Sequence, residues 1–77
     1  MKENTYDRER AGEACAMAQL ELGGDWWVRP MVDGTLQFWV GSHEKQFSMG
    51  IQLTGLNLTA EQAAAKIVQG LRLRVKV

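Results

Sequence analysis

The chain has 77 residues, of which 45% are hydrophobic and 23% are charged, and its nine basic and nine acidic side chains cancel. This length supports one hydrophobic core, so we expect a single domain over residues 1–77. The composition is that of a globular protein, which excludes a disordered chain, and zero net charge provides no overall field to attract nucleic acid or an anionic membrane. An electrostatic partner must therefore be recognised by a local patch.

The cellular compartment is inferred from cysteine usage and from hydropathy. The single Cys15 cannot form an internal disulfide, and the first residues do not resemble a signal peptide. No apolar run approaches the ~20 residues that a membrane-spanning helix needs. We expect a cytoplasmic protein without a membrane segment.

A first helix is predicted over residues 5–22. Small apolar residues recur there at spacings of three and four, which places them on one helical face: Ala11, Ala14, Cys15, Ala18 and, at the end, Leu22. Gly23 and Gly24 then predict the end of the helix. Because Cys15 lies on this apolar stripe, we expect a buried structural thiol rather than a nucleophile.

Three strands are predicted next, forming an antiparallel meander. Residues 26–32 and 35–40 flank an Asp-Gly pair, which is typical of a two-residue type I′ hairpin turn. A third strand over residues 46–53 alternates apolar and polar side chains after the turn-like residues 41–45.

Two registers of the first hairpin are open. A two-residue loop pairs Arg29 with Phe38, which places Arg29 among core residues and Trp26 on the open sheet face. A bulge near Pro30 shifts the register by one residue, returns Trp26 to the core and turns Arg29 outward. In both registers Trp39 lies on the open face.

The last third of the chain predicts a helix followed by a strand. Thr59 and Gln62 have the spacing of a capping box, and an apolar stripe over residues 60–69 ends at Gly70. Residues 71–77 then alternate leucine or valine with arginine or lysine, which predicts a fourth strand.

These elements give an α+β domain of order α-β-β-β-α-β, with two helices packed on one face of a mainly antiparallel sheet. The other sheet face is open to solvent. It is the candidate partner-binding surface, and the residues that we assign to it are Trp39, Gln37, Trp26 and the basic stripe Arg72, Arg74 and Lys76.

The sequence contains no motif for catalysis or cofactor binding. It has no glycine-rich phosphate loop, no paired acidic motif and no nucleophile-base spacing, and a chain of this size has little room for a deep pocket. His43 stands in a predicted turn with no second histidine or cysteine nearby in sequence. We expect no enzyme, no metal and no cofactor.

The favoured function is a protein-interaction module that uses the open face, with Trp39 as anchor and the basic stripe as charge partners. In size, cytosolic character and lack of catalytic apparatus, the chain resembles the small phage-encoded inhibitors, anti-CRISPR proteins included. This resemblance of general type implies a protein partner, namely a larger complex that handles nucleic acid. Separately, we expect a monomer or a homodimer, and the zero net charge argues against direct contact with nucleic acid.

Two alternatives remain open. The order helix, three strands, helix, together with the segment TAEQAAAKI at residues 59–67, resembles a double-stranded RNA-binding domain and its second helix. That family carries a lysine cluster at the start of this helix, where this chain has Ala60, Glu61 and Gln62, with Lys66 as the helix's basic residue. The other alternative is a structural subunit that self-associates through the last strand or through exposed tryptophans.

Overall fold

The computed structural model describes residues 8–31, 36–54 and 57–75. They form two helices and a three-stranded antiparallel sheet, in the strand order β1-β2-β3. The elements are α1 (Arg8–Leu22), β1 (Trp26–Pro30), β2 (Gln37–Ser42), β3 (Phe47–Gln52) and α2 (Ala60–Arg72). The predicted α+β class and antiparallel meander are confirmed.

Helix α1 ends where its glycines predict. The Gly23 amide donates to the Gln19 carbonyl oxygen at 2.9 Å, and Gly23 and Gly24 adopt φ values of 70° and 62°. This left-handed conformation is open to glycine but strained for residues that carry a β-carbon, so the pair stops the helix and turns the chain into β1. The predicted helical residues 5–7 lie outside the described residues.

The first hairpin has the shifted register. Arg29 lies opposite Trp39, and Val28 lies opposite Val40. The register of a two-residue loop, which would place Arg29 opposite Phe38, is therefore wrong. In the observed register the apolar Val28 is buried and Arg29 stays in water, which avoids the cost of burying a charge. The Asp-Gly turn itself lies outside the described residues.

Helix α2 begins as predicted but ends later. The Thr59 hydroxyl accepts a hydrogen bond from the Gln62 amide at 3.1 Å, and the Gln62 side chain accepts one from the Thr59 amide at 3.0 Å, so the capping box is confirmed. The helix continues past residue 69 and through Gly70 to Arg72.

The predicted fourth strand over residues 71–77 is wrong for the residues that the structure describes. Leu71 is helical and fully buried in the core, and residues 73–75 form a turn and a bend. Burying a leucine side chain contributes about 1.5–3 kcal/mol, more than the ~1 kcal/mol that Gly70 costs inside a helix. Lys76 and Val77 lie outside the described residues.

The core lies between the two helices and the inner face of the sheet. Its large fully buried side chains are Phe38 and Val40 from β2 and Ile67, Val68 and Leu71 from α2. Helix α1 contributes small residues, including Ala14 and Ala18, which are fully buried. These small side chains allow α1 to approach its neighbours closely.

Helices α1 and α2 run in the same direction. Near their first turns the Arg10 guanidinium Nη1 donates to the Leu58 carbonyl oxygen at 3.2 Å. Near their last turns Arg72 lies 3.7 Å from the Glu21 carboxylate. The helices thus form one layer on one side of the sheet, and the other side of the sheet faces away from them.

Candidate functional site

The sheet face opposite the helices is called the outer face below. Because successive side chains of a strand point to opposite faces, its members alternate with the core residues of each strand. They are Trp27 and Arg29 from β1, Gln37, Trp39 and Gly41 from β2, and Ser48, Gly50 and Gln52 from β3. Arg29 is the one charged side chain in this set. The outer face is thus aromatic and polar, with a single cation.

Trp39 lies at the centre of the outer face, on the middle strand. It faces Arg29 on β1 and Gly50 on β3, and 44% of its surface is exposed. A β-carbon added at Gly50 would lie 3.8 Å from the Trp39 ring, so the indole rests beside a position that has no side chain. The predicted placement of Trp39 on the open face is confirmed.

A second indole lies beside the first on the outer face. Trp27 covers Gly41 so closely that a β-carbon at Gly41 would stand 2.2 Å from the ring. The Arg29 guanidinium lies 4.9 Å from the centroid of the Trp27 ring, which is a cation–π distance. The His43 ring, exposed in the β2–β3 turn, lies 6.3 Å from Trp27 between centroids.

A shallow cavity of about 220 Å³ opens beside Trp39. Its outer-face lining consists of Gln37, Trp39, Gly50 and Gln52, and Met31, Phe38 and Ile51 complete the lining. Pockets for small-molecule ligands commonly measure ~300–1,000 Å³, so this one is of a size to receive a protruding side chain. The predicted residue Gln37 is exposed here, next to Trp39.

Trp26, assigned to the open face in the two-residue-loop register, is placed elsewhere. It is half-buried, packs against the core, and makes an edge-to-face contact with Phe47 at 6.4 Å and 76°. The open-face assignment of Trp26 is therefore wrong, and the alternative that returned it to the core is right. The same one-residue shift brings Trp27 and Arg29 to the outer face.

The basic stripe is not on the sheet. Arg72 belongs to the last turn of α2 and lies 3.7 Å from Glu21, with both side chains about half exposed, and Arg74 is exposed in the turn that follows. The predicted row of strand-borne cations beside Trp39 is thus wrong for Arg72 and Arg74, because the segment is helix and turn rather than strand. Lys76 lies outside the described residues. A binding role for these cations stays a prediction.

Asp25 holds the turn between β2 and β3 from the end of the sheet. Its carboxylate accepts hydrogen bonds from the Ser42 hydroxyl at 2.9 and 3.1 Å and from the Glu44 amide, and the Ser42 hydroxyl in turn accepts one from the Lys45 amide at 3.2 Å. The Glu44 amide is the main cause that lowers the pKa of Asp25 below its usual range. Such a network fixes the turn that carries His43.

Cys15 is buried on the α1 stripe, as predicted. Burial raises the pKa of its thiol to about 11, so the thiol is protonated at neutral pH. A protonated, buried thiol lacks the thiolate character that nucleophiles and metal ligands need.

Within residues 8–31, 36–54 and 57–75, histidine, cysteine and carboxylate side chains do not gather in threes as a metal site would require. Neither described helix combines the length and the apolar character needed to cross a membrane. Comparisons of the chain with protein-family models, with curated proteins and with solved structures found no match. Function is therefore inferred from the geometry of the outer face.

Proposed function

We propose that this domain is a protein-binding module that docks through its outer face, in the manner of small phage-encoded inhibitors that occupy a surface of a larger nucleic-acid-handling complex. The observation that carries the proposal is Trp39, a large aromatic side chain left 44% exposed at the centre of an uncovered sheet face. In a small domain such a side chain is normally recruited to the core, and its exposure favours a partner.

The setting of Trp39 suits an interface anchor. Tryptophan and arginine are enriched among the residues that dominate binding energy, and such residues lie near the centre of the buried patch. Packing beside Gly50 restricts the indole before a partner arrives, which reduces the side-chain entropy lost on binding. The cavity next to it offers a place for one side chain of the partner.

Arg29 supplies the polar part of the recognition. Its guanidinium is held over the Trp27 ring while remaining exposed, and this exposed position suits an ion pair with a carboxylate on the partner. Because the chain has zero net charge, it has no long-range field that attracts an acidic partner. The electrostatic attraction therefore acts at short range, at Arg29. We expect the partner to present an acidic side chain beside an apolar one.

The test compares Trp39→Ala and Arg29→Glu with a matched control, Leu20→Ala, which truncates a side chain that is 85% exposed on α1, in the helical layer. Partners cross-linked to wild type in host lysate are identified, purified and titrated. We expect Trp39→Ala to weaken binding by roughly 30-fold or more, as hot-spot truncations do, and Leu20→Ala to leave it unchanged. Equal affinities for wild type and all three variants would contradict the proposal.

A second candidate, binding of duplex RNA, is favoured by one specific observation. The described elements run α-β-β-β-α with both helices on one sheet face, and this order resembles that of double-stranded RNA-binding domains. The start of α2 departs from that family. Ala60 is buried, Glu61 places a negative charge in the first turn, and Gln62 is engaged in the capping box.

A gel shift with an RNA duplex of about 16 base pairs, the span of such a domain, separates the two candidates. We expect no complex at micromolar protein and low salt, because few cations are placed to displace counterions from the phosphates. The variant Glu61→Lys is the internal check, since it should create affinity only if this helix turn faces RNA. A wild-type complex that weakens steeply with salt would favour RNA binding over the outer-face proposal.

A further inference from the structure

The two edges of the sheet differ in how their backbone groups are satisfied. On β1 the Met31 amide donates to the Gln37 carbonyl at 3.0 Å. Because the direction alternates along an antiparallel strand, the backbone nitrogens of Val28 and Pro30 face away from β2. Of these, the Val28 amide donates to Gln19 Oε1 of α1 at 2.7 Å, and Pro30 has no amide hydrogen. The β1 edge is therefore closed to a further strand.

Among the described residues, the β3 edge has no such protection. The Leu53 amide donates to the Leu36 carbonyl at 2.8 Å, which means that the backbone groups of Ser48, Gly50 and Gln52 point away from β2. These three residues are exposed, and their amides meet no acceptor among the described residues. A row of unpaired donors and acceptors is a template for strand pairing.

We propose that β3 pairs antiparallel with β3 of a second copy of this chain, about a two-fold axis at Gly50, so that one sheet continues across a homodimer. Natural edge strands that avoid pairing carry charges, prolines or bulges. Phe47–Gln52 contains no charged residue and no proline, and its pairing with β2 is continuous. The chain as a whole has no net charge to repel its own copy.

The strand is complementary to itself in this register. Gly50 meets Gly50 of the other copy, and Ser48 meets Gln52 of the other copy on the outer face, so each pair joins small or neutral polar groups. On the inner face Phe47 and Met49 are only half-buried against the core. An added strand would cover both of them, which makes the pairing favourable beyond its backbone hydrogen bonds.

Space is present at the same edge. A groove of about 230 Å³ lies between the end of β3 and α2, lined in part by Gln52, Lys66 and Leu73. Leu73 is 80% exposed, so the groove has apolar surface that the second copy can bury. The proposal does not depend on Trp39 or on the proposed protein partner.

The first test is the molar mass of the full chain by sedimentation and light scattering over a wide concentration range, with amide hydrogen exchange measured at both ends of it. We expect a dimer at high concentration, together with slowed exchange at Ser48, Gly50 and Gln52 and unchanged exchange at Val28. A monomer throughout, or protection confined to residues other than these three, would overturn the proposal.

Paired substitutions test the register. Ser48→Lys with Gln52→Lys places like charges opposite each other in both symmetric pairs, whereas Ser48→Glu with Gln52→Lys places opposite charges there. Both side chains are exposed, so we expect the monomer fold to be preserved. We expect the first variant to weaken dimerisation by about tenfold and the second to retain it.

A third variant, Ser48→Glu with Gln52→Glu, should weaken the dimer like the double lysine, because like charges of either sign oppose the pairing. Identical dimerisation by all the variants would place the contact elsewhere and contradict the proposal. Trp39→Ala should dimerise as wild type does, so a failure of the outer-face proposal is distinguished from a failure of this one.

Discussion

Two glycines on neighbouring strands make room for the two indoles of the outer face. Gly41 lies under Trp27, where a β-carbon would stand 2.2 Å from the ring and 2.8 Å from the Phe47 carbonyl oxygen. Gly50 lies beside Trp39, where the same addition would stand 3.8 Å away, at ordinary contact distance. The two positions thus differ in whether an added methyl group requires the surroundings to move.

This difference predicts the outcome of alanine substitution. Gly41→Ala should lower the free energy of unfolding by about 1–3 kcal/mol, because the Trp27 ring and the Phe47 backbone must both shift to admit the methyl group. Gly50→Ala is the matched control and should change stability far less. Urea denaturation of both variants measures the effect, and equal stability of the two would show that Trp27 moves aside freely.

At the residue scale the sequence predicted well wherever periodicity was unambiguous. Cys15 and Trp39 lie where their helical and strand spacing placed them. Trp26 and Arg29 were harder to place, because two adjacent tryptophans and a proline satisfy either register of the strand. Which register forms depends on which face of the strand packs against the helices. That packing is a contact between segments that are distant in sequence.

Among the elements, the β2–β3 hairpin depends on a residue outside it. Asp25 precedes β1, yet its carboxylate accepts hydrogen bonds from Ser42 and Glu44 at the far end of β2. The turn also contains Gln46 at a φ of 51°, a left-handed conformation that non-glycine residues seldom adopt. The carboxylate thus helps to hold the hairpin closed.

Stability should therefore depend on the charge of Asp25. Since the folded state lowers the pKa of this carboxyl, its contribution is present above the unfolded value of about 3.9 and is lost as the pH falls through the lower folded value. We expect wild type to be more stable than Asp25→Asn near neutral pH, with the difference shrinking below about pH 4. Denaturation of both proteins across pH checks this, and a constant difference would contradict it.

The end of α2 shows why a local sequence pattern can fail to predict where a helix ends. Leu71 continues the helical stripe of Ile67 and Val68, and it also begins the alternation that runs from residue 71 to 77. Both periods fit the same residues. As part of the helix, Leu71 joins the buried core that also contains Ile51 and Ile67, so the helical period prevails.

Over the whole molecule, the two faces of the sheet differ in what covers them. Both helices pack on the inner face, which leaves Trp39, Trp27 and Arg29 on the outer face. The proposed dimer would join two outer faces edge to edge, and the proposed partner would then meet a surface twice as wide. The partner proposal depends on the Trp39 and Arg29 side chains and the dimer proposal on the β3 backbone, although Gly50 and Gln52 border both sites. The two proposals can hold together or separately.

The sequence by itself determined the α+β class, the antiparallel meander, the start of α2, the burial of Cys15 and the exposure of Trp39, because each follows from local periodicity, capping and turn chemistry. Only the tertiary structure decided the hairpin register, the helical fate of Leu71 and Arg72, and the membership of Trp27 and Arg29 in the outer face. Those features depend on which surfaces the helices cover, and burial of apolar area between distant segments outweighs the small local preferences that would decide otherwise.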